Sequence, residues 1–311
     1  MIINAGTLDA IFKGFKVLYT TAVLQAPSQA AEVSMTVTSA ARDETYNWLG
    51  QFPQMREWIG DERVIRKLEA HGFTITNRKF ESTISVSRDD ISDDRLGVFA
   101  PMIQSMGYEA AIHPDHVVFG LLAAGFTTPC YDGQNFFDTE HPVVDEDGPI
   151  TGADGRKYRL VSNMDVPSES PGPAWFLLDT SRPIKPIIWQ EREKYEFQSV
   201  TSPSDHSVFM TDKYLYGVRA RVNAGFGLWQ MAYASRAPLN KANYEAARTA
   251  MQRQVFDKGR PLGIKPTVLV VPPELEGAAM RLLNTEHVDG GNSNEWARTA
   301  KVLVTPFLSA A

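Results

Sequence analysis

The chain has 311 residues, 43% of them hydrophobic and 22% charged, with 22 glycines and 19 prolines. That length sets an expectation of roughly two domains with a sizeable core, and the composition excludes disordered, collagen-like and low-complexity classes. Lys and Arg number 31 against 37 Asp and Glu, a net charge of −6, so no summed basic field attracts phosphate and a dedicated nucleic-acid binder is not expected.

The single cysteine, Cys130, closes no intrachain disulfide and forms no thiolate zinc cluster by itself, which fits a reducing compartment. The chain opens without a basic leader and nowhere has a run of about 18 apolar residues, so a soluble protein made in a cytoplasm, without membrane contact, is expected.

In chain order, the apolar positions Leu8, Ile11, Phe12, Phe15, Leu18 and Tyr19 predict an amphipathic helix over Leu8 to Leu24. Ala26 to Arg42 is small and polar, with alternation at Val33, Met35 and Val37, and is predicted as an extended arm outside the compact core. Trp48 to Gly72 mixes Trp48, Leu49, Phe52, Trp58 and Ile59 with dense charge. Trp and Arg together are types that interfaces enrich, although an ordinary surface segment carries them too. The runs Phe73–Thr76 and Phe80–Ser87, separated by Asn77-Arg78-Lys79, predict a β-hairpin.

The acidic stretch Asp89 to Asp94 offers acceptors for free helix N–H groups and predicts the start of a long helix. Leu96, Phe99, Ile103, Met106 and Ala110 form its apolar stripe, and His113-Pro114 predicts a break or kink before a second helical stretch, Val117 to Ala124, ending at Gly125. Together these would span roughly 45 Å. Thr127 to Pro173 is rich in Gly, Pro, Asp and Ser and reads as loop. Strands are predicted at Ala174–Leu178, Ile187–Gln190, Tyr195–Val200, Val208–Met210, Tyr214–Asn223 and Gly227–Ala234, forming an antiparallel sheet. The tail reads as an α/β unit: helix Leu239–Phe256, turn Asp257–Pro261, strand Thr267–Val271, helix Pro272–Leu283 and strand Lys301–Phe307.

Chemistry-bearing residues concentrate in Tyr131 to His141, where Asp138 and His141 have the types of a base with its orienting group, or of metal ligands. A small hydrolase or metal-dependent enzyme centred on Asp132, Asp138 and His141 is therefore the competing reading. Its signal is weak, because Asp-Gly begins a turn and Asp, Glu and His are ordinary loop residues. His113 and His116 form an HxxH pair interrupted by Pro114, without a third ligand, and read as structural histidines. Cys130 reads as an inert, partly buried thiol. Gly225-Phe226-Gly227 lacks the third glycine of a dinucleotide turn and reads as a turn or bulge. No phosphate cradle, nucleophile elbow or paired CxxC occurs, so no cofactor is expected.

The order of these segments, and four long words within them, carry a resemblance. The words are YNWLGQFPQMREWIGDERVIRKLEAHGFTITNRKFESTISVSRDDISDD at 46 to 94, PCYDGQNFFDTEHPV at 129 to 143, YGVRARVNAGFGLWQMAYA at 216 to 234 and GIKPTVLVVPPELEGAAMRLL at 263 to 283. They closely resemble the major head subunit of Mu-like bacteriophages and prophages. The resemblance implies an α+β, HK97-like phage capsid fold: N-terminal helix and arm at 1–44, extended loop at 45–88, and the spine helix of a peripheral domain at 89–125. An irregular region at 126–173, the peripheral sheet at 174–237 and an axial domain at 238–311 would follow.

It also implies a structural subunit that forms pentamers and hexamers of an icosahedral head in the virion, assembled in the bacterial host cytoplasm. Scaffold, portal and decoration proteins are the implied partners, and double-stranded DNA would be enclosed without specific binding. No catalytic, cofactor-binding or metal residues come with it. Inter-subunit contacts are expected from Trp58 and Ile59 as anchors, with Arg56, Arg63, Arg66 and Lys67 meeting Asp89, Asp90, Asp93 and Asp94 of a neighbour.

Overall fold

The structure, a computed structural model, describes residues 2–49, 72–145, 147–152, 155–256, 260–287 and 292–308. The chain begins with α1 (Ala5–Gln25), α2 (Ala30–Val33), β1 (Ser34–Thr38), β2 (Asp43–Tyr46), β3 (Phe73–Thr76) and β4 (Arg78–Ser87). Next come α3 (Arg88–Ser92), α4 (Ala100–Ala123), β5 (His141–Val144), β6 (Ile150–Thr151), β7 (Lys157–Val161) and β8 (Met164–Asp165). Then follow β9 (Trp175–Leu178), β10 (Ile187–Val200), α5 (His206–Thr211), β11 (Lys213–Phe226) and β12 (Ala232–Ser235). The chain closes with α6 (Lys241–Gln252), β13 (Val255–Phe256), β14 (Arg260–Pro261), β15 (Val268–Val271), α7 (Glu276–Leu283) and β16 (Lys301–Val304).

Two sheets organise these elements. One has the order β1-β10-β11-β4, with β1 parallel to β10 and the other pairs antiparallel. The other has the order β16-β15-β9-β12-β8, where β9 runs antiparallel to both of its neighbours. Strands β10 and β11 are 14 residues each, roughly 45 Å of paired ribbon.

Period-two alternation explains how the second sheet is buried on both faces. Phe176 and Leu178 of β9, with Val268 and Val270 of β15, face a core shared with Val118, Phe119 and Leu122 of α4. The intervening Trp175, Leu177, Leu269 and Val271 face a separate core closed by Tyr244 and Met251 of α6 and by Ala279 and Leu283 of α7. A third core lies between α1, the first half of α4 and the long sheet, built from Leu8, Ile11, Phe15, Tyr19, Ile103, Met106, Tyr214 and Tyr216.

Helix α1 starts where the Asn4 Oδ1 accepts the Thr7 N–H at 2.8 Å, which supplies one free N–H with a partner. It crosses α4 at Gly107, where a Cβ would stand 2.5 Å from the Tyr19 carbonyl oxygen. Only glycine allows the two backbones that approach.

Several sequence expectations change. The arm after α1 is not outside the core: Ala30 and Val33 are buried in it, and β1 pairs with β10. The anchor is the buried Asp115 carboxylate on α4, which accepts hydrogen bonds from the Ser28 hydroxyl and the Gln29 and Ala30 N–H groups. Strands β3 and β4 do not form a hairpin with each other; β3 pairs with β2, and β4 with β11. Between them Asn77 is buried and donates to Ser39 Oγ and the carbonyls of Ala41 and Arg42 while accepting from Gln190 Nε2. Those bonds hold the chain straight from one sheet into the next.

The long helix does not begin at Asp89. Ser87 caps the short α3, Asp94 then adopts a left-handed φ of 59°, and α4 starts at Ala100 with Pro101 in its first turn. A left-handed residue ends a helix, and Asp tolerates that conformation better than most. The spine also runs unbroken through Pro114. The roughly 3 kcal/mol that an interior proline costs is offset because both halves of α4 are packed, into the third core before Pro114 and the first core after it. Its 24 residues give about 36 Å.

The segment after the spine is not all loop, since β5, β7 and β6 form a small sheet. Val208–Met210 is helical rather than extended, because Asp205 Oδ1 accepts the Ser207 N–H and caps α5. Of the stretch Gly227–Ala234, a 3-10 turn takes Trp229–Met231 and the strand β12 begins only at Ala232. The strands predicted as one antiparallel sheet are divided between the two sheets, with β9 and β12 joining β15 and β16.

Candidate functional site

The densest cluster of chemistry-bearing side chains lies in the segment after α4. The chain leaves the spine through a 3-10 turn at Ala124–Phe126, and Gly125 lies so close to Phe137 that a Cβ would meet its ring at 2.7 Å. A tight turn follows: Cys130 N–H donates to the Gln134 carbonyl, and Gly133 takes a left-handed φ of 87°, which suits glycine. The turn aims Asp132 inward. Its Oδ1 accepts the Gln134 N–H and the Cys130 thiol, both at 3.1 Å, and its Oδ2 lies 2.7 Å from His141 Nδ1 at the start of β5.

His141 is fully buried, stacked on Trp229 at 3.9 Å between ring centroids, and its Nε2 lies 3.2 Å from Asn163 Oδ1. The Asn163 amide is fixed from three sides. Its Nδ2 donates to the carbonyls of Phe136 and Trp229, and its Oδ1 accepts the Asp138 N–H.

Burial works against the Asp132 carboxylate, but the hydrogen bond and charge of His141, the Cys130 thiol and the Gln134 N–H outweigh it and hold the carboxyl below its usual range. Burial, followed by the negative charge of Asp132, pushes the Cys130 thiol far upward. The thiolate is the nucleophilic form, so Cys130 is held inert, as its sequence context suggests. Asp138 stands apart from the competing hydrolase scheme: its Oδ1 accepts the N–H groups of Thr139 and Glu140 and serves the loop.

The structure thus brings Asp132 and His141 together, adds Cys130, and leaves Asp138 as a turn residue. His113 and His116 are packing residues: His113 Nδ1 lies 2.5 Å from the Tyr195 hydroxyl with its ring against Phe80, and His116 packs on Phe307. Both line a cavity of about 380 Å³ between α4 and the long sheet, together with Met106, Val218 and Phe307. Gly225 lies inside β11 under the Ile75 side chain, and Gly227 approaches the Lys185 carbonyl, so this pair serves close backbone packing.

Of the expected contact residues, Asp89, Asp93 and Asp94 are exposed and Asp90 is half-buried. Arg56, Trp58, Ile59, Arg63, Arg66 and Lys67 lie outside the described residues. Two surface residues escaped sequence reasoning: Phe209 and Met210 on α5 are 78% and 65% exposed. The available signal was Asp205-His206-Ser207, a cap pattern that turns an apparent strand into a helix. Among the described residues no helix is long and apolar enough to cross a membrane.

Comparison with known proteins places this geometry. The family model described as "Mu-like prophage major head subunit gpT" matches residues 8–308. The chain is 42% identical to the major capsid protein of Escherichia phage Mu, over 99% of this chain and 100% of that protein. It is 43% identical to the Mu-like prophage FluMu major head subunit of Haemophilus influenzae, over 90% and 89% of the two chains. Its fold matches a subunit of the procapsid of bacteriophage JBD30 with a TM-score of 0.85 at 46% identity, covering 98% of this chain and 100% of that one.

Proposed function

The chain belongs to the family of Mu-like prophage major head subunits, and from that premise we propose how it builds a head. It is a major capsid protein with a phage-capsid fold, a structural subunit rather than an enzyme. The hydrolase reading centred on Asp132, Asp138 and His141 is withdrawn: the whole-length match is to shell subunits, and the thiol and carboxylates in that cluster are engaged in holding a loop. The observation that carries the shell role is the extent of the match, which takes in residues 8–308 for the family and 99% of the chain for the phage Mu protein.

The finer reading is that copies meet around five-fold and six-fold axes, as pentamers and hexamers of an icosahedral shell. Closed shells of that kind need heterologous contacts, made by different patches on each side of the subunit. In this reading α4 and the long sheet form the peripheral domain and the five-stranded sheet with α6 and α7 the axial domain, which moves β9 and β12 out of the peripheral sheet expected at 174–237 because β9 pairs with β15 and β12 with β9. Arg56, Arg63, Arg66 and Lys67 meet Asp89, Asp90, Asp93 and Asp94 of a neighbour, with Trp58 and Ile59 as apolar anchors. Scaffold, portal and decoration proteins are the partners, and assembly takes place in the bacterial host cytoplasm. The net charge of −6 suits a wall that encloses DNA and must release it, because each neutralised phosphate adds affinity through counterion release.

Sedimentation of the purified chain and of Trp58→Ala tests this. Truncating an interface anchor commonly costs about 2 kcal/mol or more of association, so the variant is expected to shift from shells towards free subunits at an unchanged melting temperature. Shells of normal yield from the variant would remove Trp58 from the interface.

A further inference from the structure

Cys130 Sγ, an Asp132 carboxylate oxygen and a ring nitrogen of His141 lie within 4.8 Å of one another. The hydrogen bonds around His141 decide what can stand between them. Asn163 Nδ2 donates to two carbonyls, and Oδ1 already accepts the Asp138 N–H, so Oδ1 faces His141 Nε2 as an acceptor. Nε2 must therefore carry hydrogen. The other nitrogen, Nδ1, is the one left to meet a cation, and it faces the Asp132 carboxylate at 2.7 Å. At that distance the two atoms share a proton, and a metal ion would displace that proton and open the contact, because zinc ligands about 2 Å from the ion at a tetrahedral angle stand about 3.3 Å apart.

We propose that Cys130 Sγ, the Asp132 carboxylate and His141 Nδ1 form a structural site for one zinc ion. Three features favour zinc over a harder cation. The donor set is one thiol, one imidazole and one carboxylate, which suits a borderline-soft metal better than calcium or magnesium. The His141 ring presents one nitrogen to the site while Nε2–H is held by an oriented acceptor, the outer arrangement that fixes ligating histidines. The charges also balance. On binding, zinc displaces two protons to solvent, the thiol's and the one shared by His141 Nδ1 and Asp132, and thiolate plus carboxylate cancel the two positive charges of the ion. The buried site is then neutral, which removes the cost of an uncompensated buried charge. Three protein ligands leave the fourth tetrahedral position to water.

The ion would tie the turn after α4 to the first residue of β5, against Trp229 beside β12. Its role is to stiffen the junction between spine and second sheet; no reaction is assigned to it.

The test uses the full-length chain. Wild type and Cys130→Ser are loaded with zinc, dialysed and measured for metal content and affinity, and cobalt is substituted for zinc to report on the sulfur. The expected result is one zinc per wild-type chain, a cobalt spectrum with a sulfur-to-metal charge-transfer band, and at least about tenfold weaker binding by the serine variant, since even outer partners of a metal site contribute that much. If Cys130→Ser does not fold, the cobalt spectrum of the wild type decides alone. No stoichiometric uptake, a cobalt spectrum without the charge-transfer band, or equal affinity with and without the thiol would overturn the proposal and leave a proton as the cation in the site.

Discussion

Asp132 holds three partners in the turn after the spine, Cys130, Gln134 and His141, and its ionisation sets a pH dependence that can be worked out. Its carboxyl is held below the ordinary value of 3.8, so in the folded state it binds its proton less readily than in the unfolded chain. The stability this adds is present above about pH 4 and is lost as pH falls through the folded value. Acidification below that range should therefore destabilise wild type more steeply than Asp132→Asn, as read by melting temperature against pH. At neutral pH the same variant leaves His141, fully buried, without its carboxylate, and breaking such a pair typically costs about 3 kcal/mol or more. Equal acid sensitivity of the two proteins would mean that Asp132 takes up its proton as readily in the folded chain as in the unfolded one. Cys130 gives a simpler check. Its thiol is buried and held protonated, so alkylation at mildly alkaline pH should be slow until the protein unfolds. Rapid labelling of the folded chain would place the sulfur at the surface.

Elements here are positioned by a few contacts between segments far apart in sequence. The clearest is the crossing of α1 and α4 at Gly107. A methyl group added there meets the Tyr19 carbonyl at 2.5 Å and Ala22 Cβ at 3.0 Å, and the first of these is backbone that cannot swing aside. Gly107→Ala should therefore cost about 1–3 kcal/mol, the usual range for overpacking, and should make α1 the first segment released by limited proteolysis. An unchanged melting curve would show that α1 does not press on α4. This scale also shows what the sequence could reveal. Periodic, self-sufficient segments such as α1, α6, β9, β15 and β16 were legible, because their apolar spacing alone determines which face is buried. Segments whose state depends on distant partners were not. The arm at Ala30 and Val33 is drawn into the core by Asp115, and Asn77 joins two sheets through Gln190. Packing on both sides of Pro114 carries the spine through a residue that normally ends a helix. The same division holds in the loop cluster. Asp132 and His141 were visible as neighbours in one short stretch, whereas Asn163 and Trp229, which orient the histidine, come from far along the chain and carry no local signal.

At the scale of the whole molecule, α4 links a long sheet and a compact one, and the β10–β11 ribbon ends in α5 with Phe209 and Met210 turned outward. An exposed apolar pair on the short helix that joins β10 to β11, whose Val208 is buried in the third core, does little for the isolated subunit and suits a contact with another copy. The double substitution Phe209→Ser and Met210→Ser should therefore leave the melting temperature of the subunit within about 0.5 kcal/mol equivalent of wild type, as is usual for surface positions, while lowering the yield of shells. Full assembly by that variant would remove the pair from the interface. The role itself is tested most directly by electron microscopy of the purified chain at high concentration, alone and co-expressed with scaffold and portal partners. Closed shells, tubes or five- and six-membered rings are the expected result. A monodisperse monomer under every one of these conditions would contradict a shell-forming subunit.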